Sequence, residues 1–80
     1  MEYETLLEKQ NWVCAVCLSP ETMVDKRSGK TRRLAVDHNH ATGMVRGLLC
    51  CACNQTIGRL KENPDTLRRL ADYLEMWSSI

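Results

Sequence analysis

Leu34-Ala35-Val36-Asp37-His38-Asn39-His40-Ala41-Thr42-Gly43-Met44-Val45-Arg46-Gly47-Leu48-Leu49-Cys50-Cys51-Ala52-Cys53-Asn54 is the stretch that decides the fold. Leu34 to His38 is strand-like, Ala41-Thr42-Gly43 is a turn, and Met44 to Leu49 is a second strand. The segment therefore predicts a β-hairpin with Asp37-His38-Asn39-His40 at the end of its first strand. Beyond Cys50, residues Ala52 to Leu60 predict a helix that Gly58 weakens and Asn63-Pro64 terminates. A Cys-x-x-Cys pair, Cys50 and Cys53, stands at the junction of hairpin and helix.

A second pair, Cys14-Ala15-Val16-Cys17, precedes it, with 32 residues between Cys17 and Cys50. Both thiolates of a Cys-x-x-Cys turn face the same way, so two such turns complete a tetrahedral four-cysteine shell for Zn²⁺. That metal would staple the ends of the inserted segment that carries Asp37 to His40. The alternatives are disulfides or idle buried thiols. Five cysteines is an odd count, and the N-terminus has no signal-peptide character. No apolar run approaches the ~18 residues needed to cross a membrane. A reducing cytoplasm is the expected location. Cys51 is the spare thiol, because only Cys50 with Cys53 reproduces the two-residue gap.

Eighty residues predict a single domain spanning 1–80. Phenylalanine is absent and only two Trp and two Tyr are present, so the core is expected to be modest and zinc to supply much of the folding free energy. The formal charge is +1 with the thiols neutral. Four thiolates and one Zn²⁺ bring it to about −1, so bulk basicity does not argue for a nucleic-acid partner. Local clustering does: Lys26, Arg27, Lys30, Arg32 and Arg33 fall within eight residues, broken by a Ser28-Gly29 turn signal. Such a run can contact phosphates without reading sequence, or can be a solvated loop.

Toward the N-terminus, Tyr3, Leu6, Leu7 and Gln10 predict a short amphipathic helix leading into the first knuckle. Toward the C-terminus, Asn63 is placed to cap a last helix with Pro64 at its first position. On that helix Leu67, Leu70, Ala71, Leu74 and Trp77 form one apolar stripe, read as core or as a dimer face. The expected architecture is a small α+β zinc-stabilised domain, ordered helix, knuckle, hairpin, knuckle-helix, helix.

A hairpin and helix stapled in this way can gather side chains around a common point. Asp37 and Asn54 each offer a hard oxygen of the kind Mg²⁺ or Mn²⁺ accepts, with positions left for water and a phosphate oxygen. His38 adjoins them, and an imidazole, with an ordinary pKa of about 6.5, can take a proton from water at neutral pH. Neighbours in a regular strand face opposite sides, so this use of Asp37 with His38 requires the strand to end or twist there.

The quoted stretch together with Cys14 and Cys17 resembles the phage recombination endonuclease VII family, a branch of the HNH or His-Me finger nucleases. The resemblance covers roughly residues 12 to 60 and rests on thiol pairs, an Asp-His strand end, a Thr-Gly turn, a Val-Arg-Gly-Leu-Leu strand and Cys-Asn in one order. It implies a ββα-metal hairpin-helix core with flanking N- and C-terminal helices. It implies Cys14, Cys17, Cys50 and Cys53 as structural zinc ligands, Asp37 and Asn54 as ligands of catalytic Mg²⁺ or Mn²⁺, and His38 as general base. His40 would be a second active-site histidine holding or polarising the scissile phosphate. Asn39 is expected to buttress the hairpin, and Arg46 is a candidate phosphate contact or a strand-surface residue.

The resemblance thus implies an HNH-type endodeoxyribonuclease that nicks or cleaves DNA and leaves 5′ phosphate and 3′ hydroxyl ends. The family's junction-resolving archetype is a longer chain that dimerises through additional helices. Branched DNA as substrate, monomer or homodimer, and action with other phage proteins therefore stay open. The rival expectation is a non-catalytic four-cysteine zinc module that binds DNA or protein. It leaves Asp37, His38 and Asn54 without a shared purpose.

Overall fold

The fold is a computed structural model describing residues 2–78. Its elements run α1 (Tyr3–Lys9), β1 (Ala35–His38), β2 (Val45–Leu49), α2 (Cys51–Arg59) and α3 (Pro64–Ser78), with β1 and β2 forming a two-stranded antiparallel sheet. No helix among the described residues is long and apolar enough to cross a membrane.

The β1–β2 turn is built by Asn39. Its Oδ1 accepts hydrogen bonds from the amides of Ala41 (2.8 Å) and Thr42 (3.1 Å). Its own N–H donates to the Met44 carbonyl, and the Gly43 N–H returns to the Asn39 carbonyl. Gly43 closes the turn at φ 78°, where a side chain would be strained. Asn39 therefore buttresses the hairpin, as its sequence predicts.

Pairing runs regularly from Ala35↔Leu49 to Asp37↔Gly47, then shifts so that His38 faces Val45. Arg46 is the extra residue of a β-bulge, a device that locally twists a strand and re-aims side chains. The register shift falls between Asp37 and His38, and β1 ends at His38, but burial still alternates along β1, with Asp37 half-buried and His38 exposed.

Among the described residues five side chains form the buried core: Cys14, Leu34, Leu48, Leu49 and Cys50. Two of the five are cysteines, so the thiol cluster is part of that core. Tyr3, Leu6 and Leu7 of α1, with Cys53 and Ile57 of α2, pack around it. The Tyr3 hydroxyl donates to the Leu34 carbonyl at 2.6 Å. Gln10, just past α1, acts as a one-residue third strand. Its Nε2 donates to the carbonyls of Val13 (2.9 Å) and Leu48 (3.0 Å), and its Oε1 accepts from the Leu48 N–H at 2.9 Å. The two bonds to Leu48, with the Ala15 N–H that also donates to the Leu48 carbonyl at 3.1 Å, cover the outer edge of β2. Gly47 leaves room beside them, since a Cβ there would lie 3.2 Å from Gln10 Oε1 and press it aside by a few tenths of an ångström.

The last helix begins as the sequence predicts: Asn63 Oδ1 accepts from the amides of Asp65 (3.0 Å) and Thr66 (3.3 Å), with Pro64 at the first position. Its apolar stripe, however, is not core. No residue of α3 is buried, and Leu70, Leu74 and Trp77 are 46%, 68% and 57% exposed. The reason is the turn before it, where Lys61 and Glu62 both adopt φ 55° and redirect the chain away from the sheet. Only Leu67 is half-buried on the stripe, lining an apolar pocket of ≈ 400 Å³ with Val16, Ala52, Cys53, Thr56 and Ile57.

Candidate active site and metal centre

Two polar clusters flank the hairpin. At its base stand the four cysteines of the paired knuckles. All five thiols are free, and the Sγ atoms of Cys14, Cys17, Cys50 and Cys53 lie within 4.8 Å of one another. Cys17 and Cys50 are 3.8 Å apart, sulfur to sulfur. A tetrahedron with Zn–S bonds of ~2.3 Å has edges of roughly 3.8 Å, so the cluster fits a structural Zn²⁺. The Val16 N–H points at Cys14 Sγ and the Cys53 N–H at Cys50 Sγ, both at 3.4 Å. Cys51 stays outside this shell: its N–H donates to Glu21 Oε2 at 2.6 Å and its Sγ accepts from Gln55. Glu21 thereby satisfies an otherwise unpaired amide at the start of α2 and places a negative charge at the favourable end of the helix dipole.

The Cys14, Cys50 and Cys53 thiols shift one another's protonation. Burial pushes Cys14 up, but hydrogen bonds from backbone groups of Cys50, Cys17 and Val16 outweigh it and lower the thiol to about 6. Burial, followed by hydrogen bonds with the Cys50, Cys14 and Cys17 side chains, pushes Cys53 up to about 12. The Cys53 backbone draws Cys50 down, yet burial together with the Cys17 and Cys14 side chains leaves it above the ordinary thiol value. One thiolate is thus favoured at the expense of its neighbours, and a divalent cation is the natural means of ionising all four.

The second cluster lies at the bulge. Arg46 grips Asp37 with a bidentate fork, Nε to Oδ2 at 2.7 Å and Nη2 to Oδ1 at 3.0 Å. The Asp37 side chain is only 12% exposed. Arg46 Nη2 also donates to Glu62 Oε1 at 2.5 Å, and Glu62 Oε2 lies 3.5 Å from His40 Nδ1. Hydrogen bonding to Asp37, and then to Glu62, pushes the Arg46 pKa further up. The His38 and His40 rings face one another at 5.1 Å between centroids. Asp37, His38, His40 and Arg46 are therefore brought together at one edge of the hairpin. Asn54 sits half-buried in the first turn of α2, which packs against β1. Among the described residues no hydrogen bond or ion pair joins Asn54 to Asp37.

Glu62 is the participant that sequence reasoning missed. Lys61-Glu62-Asn63-Pro64 reads only as the end of a helix, and no motif marks its carboxylate. Tertiary folding alone carries it to the hairpin.

The basic run divides in two. Val24 and Thr31 form an isolated antiparallel bridge around a turn with Gly29 at φ 72°, leaving Lys26, Arg27 and Lys30 exposed at its tip. Arg32 and Arg33 instead line a groove of ≈ 310 Å³ with Tyr3, Trp12 and Glu21 among its walls, and the Arg33 guanidinium sits 4.2 Å over the Tyr3 ring.

A small α+β domain with a four-cysteine cluster and a charged, histidine-bearing hairpin edge is the class that fold and site define. The recombination endonuclease VII family model matches residues 1–76, and the chain belongs to that family. It is 42% identical over 74 residues to the Gene 59 protein of Mycobacterium phage D29, covering 91% of this chain and 41% of the relative. The Gene 59 protein of Mycobacterium phage L5 is 39% identical over the same shares. The chain thus spans about two fifths of the length of these curated relatives. No solved structure matches it.

Proposed function

We propose that the chain is a metal-dependent DNA endonuclease of the HNH type, with the hairpin and α2 as a His-Me finger core and zinc on the four cysteines as its structural staple. The observation that carries this reading is the meeting of Asp37, His38, His40 and Arg46 at one bulged hairpin edge in a member of the endonuclease VII family. The rival four-cysteine binding module accounts for the zinc-ligand spacing but gives that convergence no purpose.

In this reading His38 takes the proton from the water that attacks phosphorus. His40 and Arg46 donate to phosphate oxygens, adding positive charge where negative charge develops. Asp37 and Asn54 would hold Mg²⁺ or Mn²⁺. The donor set offers such a cation a carboxylate and a carboxamide oxygen from α2, and cation binding would take Asp37 from the Arg46 fork that now occupies both carboxylate oxygens. When bound, that metal supplies electrostatic stabilisation of the transition state and of the departing 3′ oxygen. Lys26, Arg27, Lys30, Arg32 and Arg33 supply sequence-independent contacts to the DNA backbone. Branched or recombination-intermediate DNA is the proposed substrate within this class.

The test is cleavage of supercoiled plasmid, linear duplex, single strand and four-way junction by zinc-loaded protein with Mg²⁺ or Mn²⁺. Nicking is expected, and His38→Ala should slow it by about 100-fold or more, the usual contribution of a general base. A wild type that cleaves none of the four substrates, or a His38→Ala variant that matches it, leaves the binding module as the explanation.

A further inference from the structure

Among the described residues at the hairpin edge, Glu62 is the charged side chain to which the proposed nuclease reaction assigns no role. It stands on the turn between α2 and α3, and its backbone is held at φ 55°, directly after Lys61 at the same angle. Two consecutive non-glycine residues in the left-handed region are uncommon, and such strain persists only where the surroundings enforce it. The Glu62 N–H donates to the Ile57 carbonyl at 2.8 Å, tying the turn back onto α2. The carboxylate is then divided between two partners: Oε1 takes Arg46 Nη2 at 2.5 Å, and Oε2 faces His40 Nδ1 at 3.5 Å. The side chain is 29% exposed, against 72% for His40, so Glu62 is the fixed member of the pair.

We infer that Glu62 is a positioning residue for His40, an assignment that rests on the nuclease reading above. A carboxylate only accepts hydrogen bonds, so Glu62 Oε2, 3.5 Å from Nδ1, favours a proton on that imidazole nitrogen. Neutral His40 is thereby held as the Nδ1–H tautomer, and Nε2 becomes the nitrogen presented to the phosphodiester. The same carboxylate keeps Arg46 against the hairpin through Nη2, so one side chain from the α2–α3 turn orients two groups of the other element. Carboxylates that orient a histidine from behind, as in metal sites, typically change activity by 10- to 100-fold when removed.

The experiment uses the full chain, zinc-loaded, with the tautomer of His40 read from imidazole ¹⁵N shifts in long-range ¹H–¹⁵N correlation spectra and plasmid nicking measured on the same samples. Wild type is expected to show the Nδ1–H form. Glu62→Ala should move His40 to the Nε2–H form that free imidazoles favour, and lower kcat by at least about tenfold with KM little changed. Glu62→Gly removes the carboxylate while relaxing the left-handed backbone, so it preserves folding and should behave like Glu62→Ala. Glu62→Gln keeps an accepting carboxamide oxygen and should stand between them and wild type. Unchanged His40 shifts in both Glu62→Ala and Glu62→Gly overturn the inference, as does a loss confined to KM or wild-type kcat in both variants. The tautomer is read without DNA, so it also separates the two ideas: a wild type that cleaves nothing refutes the nuclease reading, whereas an unmoved tautomer refutes the role of Glu62.

Discussion

The cysteine cluster at the base of the hairpin and the carboxylate–arginine–histidine cluster at its edge differ in how they are made. The first draws on two local knuckles whose own backbone amides point at the sulfurs, and Cys14 and Cys50 are buried within the core. The second is assembled from β1, from a bulge in β2 and from a turn more than ten residues further along, with Arg46 at its centre. A four-thiol shell with two members buried in the core and only Cys17 exposed suits a group whose task is to hold the chain. A partly exposed cluster with several unlike charges suits groups that must meet a ligand.

The largest effect expected from breaking this contrast is loss of the fold on zinc removal. The three buried leucines contribute about 2 kcal/mol each, whereas a structural zinc site is worth ~10 kcal/mol or more. Chelation, or Cys14→Ser, should collapse amide dispersion in ¹H–¹⁵N spectra. Withholding Mg²⁺ and Mn²⁺ should leave dispersion intact and stop only cleavage. Retained dispersion after complete zinc removal would show that the core stands without its thiol staple.

Of intermediate size is the proton release that accompanies zinc loading. Cys53 at about 12 and Cys50 above its ordinary value both carry protons at neutral pH, and both must give them up to the metal. Apparent zinc affinity should therefore fall by at least about 100-fold for each pH unit lowered. The slope should steepen below about pH 6, where Cys14 also becomes protonated. Calorimetry in buffers of different ionisation enthalpy counts the protons directly. Fewer than two released at pH 7 would contradict the shared-thiolate description.

The smallest expected effect sharpens the comparison from the scaffold side. Gln10→Ala removes three hydrogen bonds, two of them to the β2 edge, and leaves the Leu48 amide unpaired. It should cost about 1–3 kcal/mol in denaturant unfolding of the zinc form. Zinc stoichiometry should not change, because Gln10 touches neither cluster's side chains.

Much of the fold was legible because its signals are local. Two-residue cysteine spacing, a Thr-Gly turn, an Asn-Pro helix start and strand-like runs each act over a few neighbours. The hairpin, α2 and the capped α3 all appear where those signals place them, within a residue or so at their ends. Asn39 bonded to its own turn is the same kind of case. The α3 stripe shows the limit: periodicity marks an apolar face but not whether anything covers it, and the left-handed pair Lys61-Glu62 turns that face away from the core. The candidate site divides likewise. Asp37, His38 and His40 could be picked out from one contiguous motif, whereas the bulge that frees Arg46 and the turn that delivers Glu62 have no short-range signature.

By itself, the sequence determined the chemistry available to this protein: four thiols at ligand spacing, a hairpin ending in Asp-His-Asn-His, and a helix entered through Cys-Asn. Only the tertiary structure decided which of those groups share a charge. Ion pairs and shared thiolates depend on separations of a few ångströms between residues far apart in the chain, and those separations are set by packing, bulge and turn.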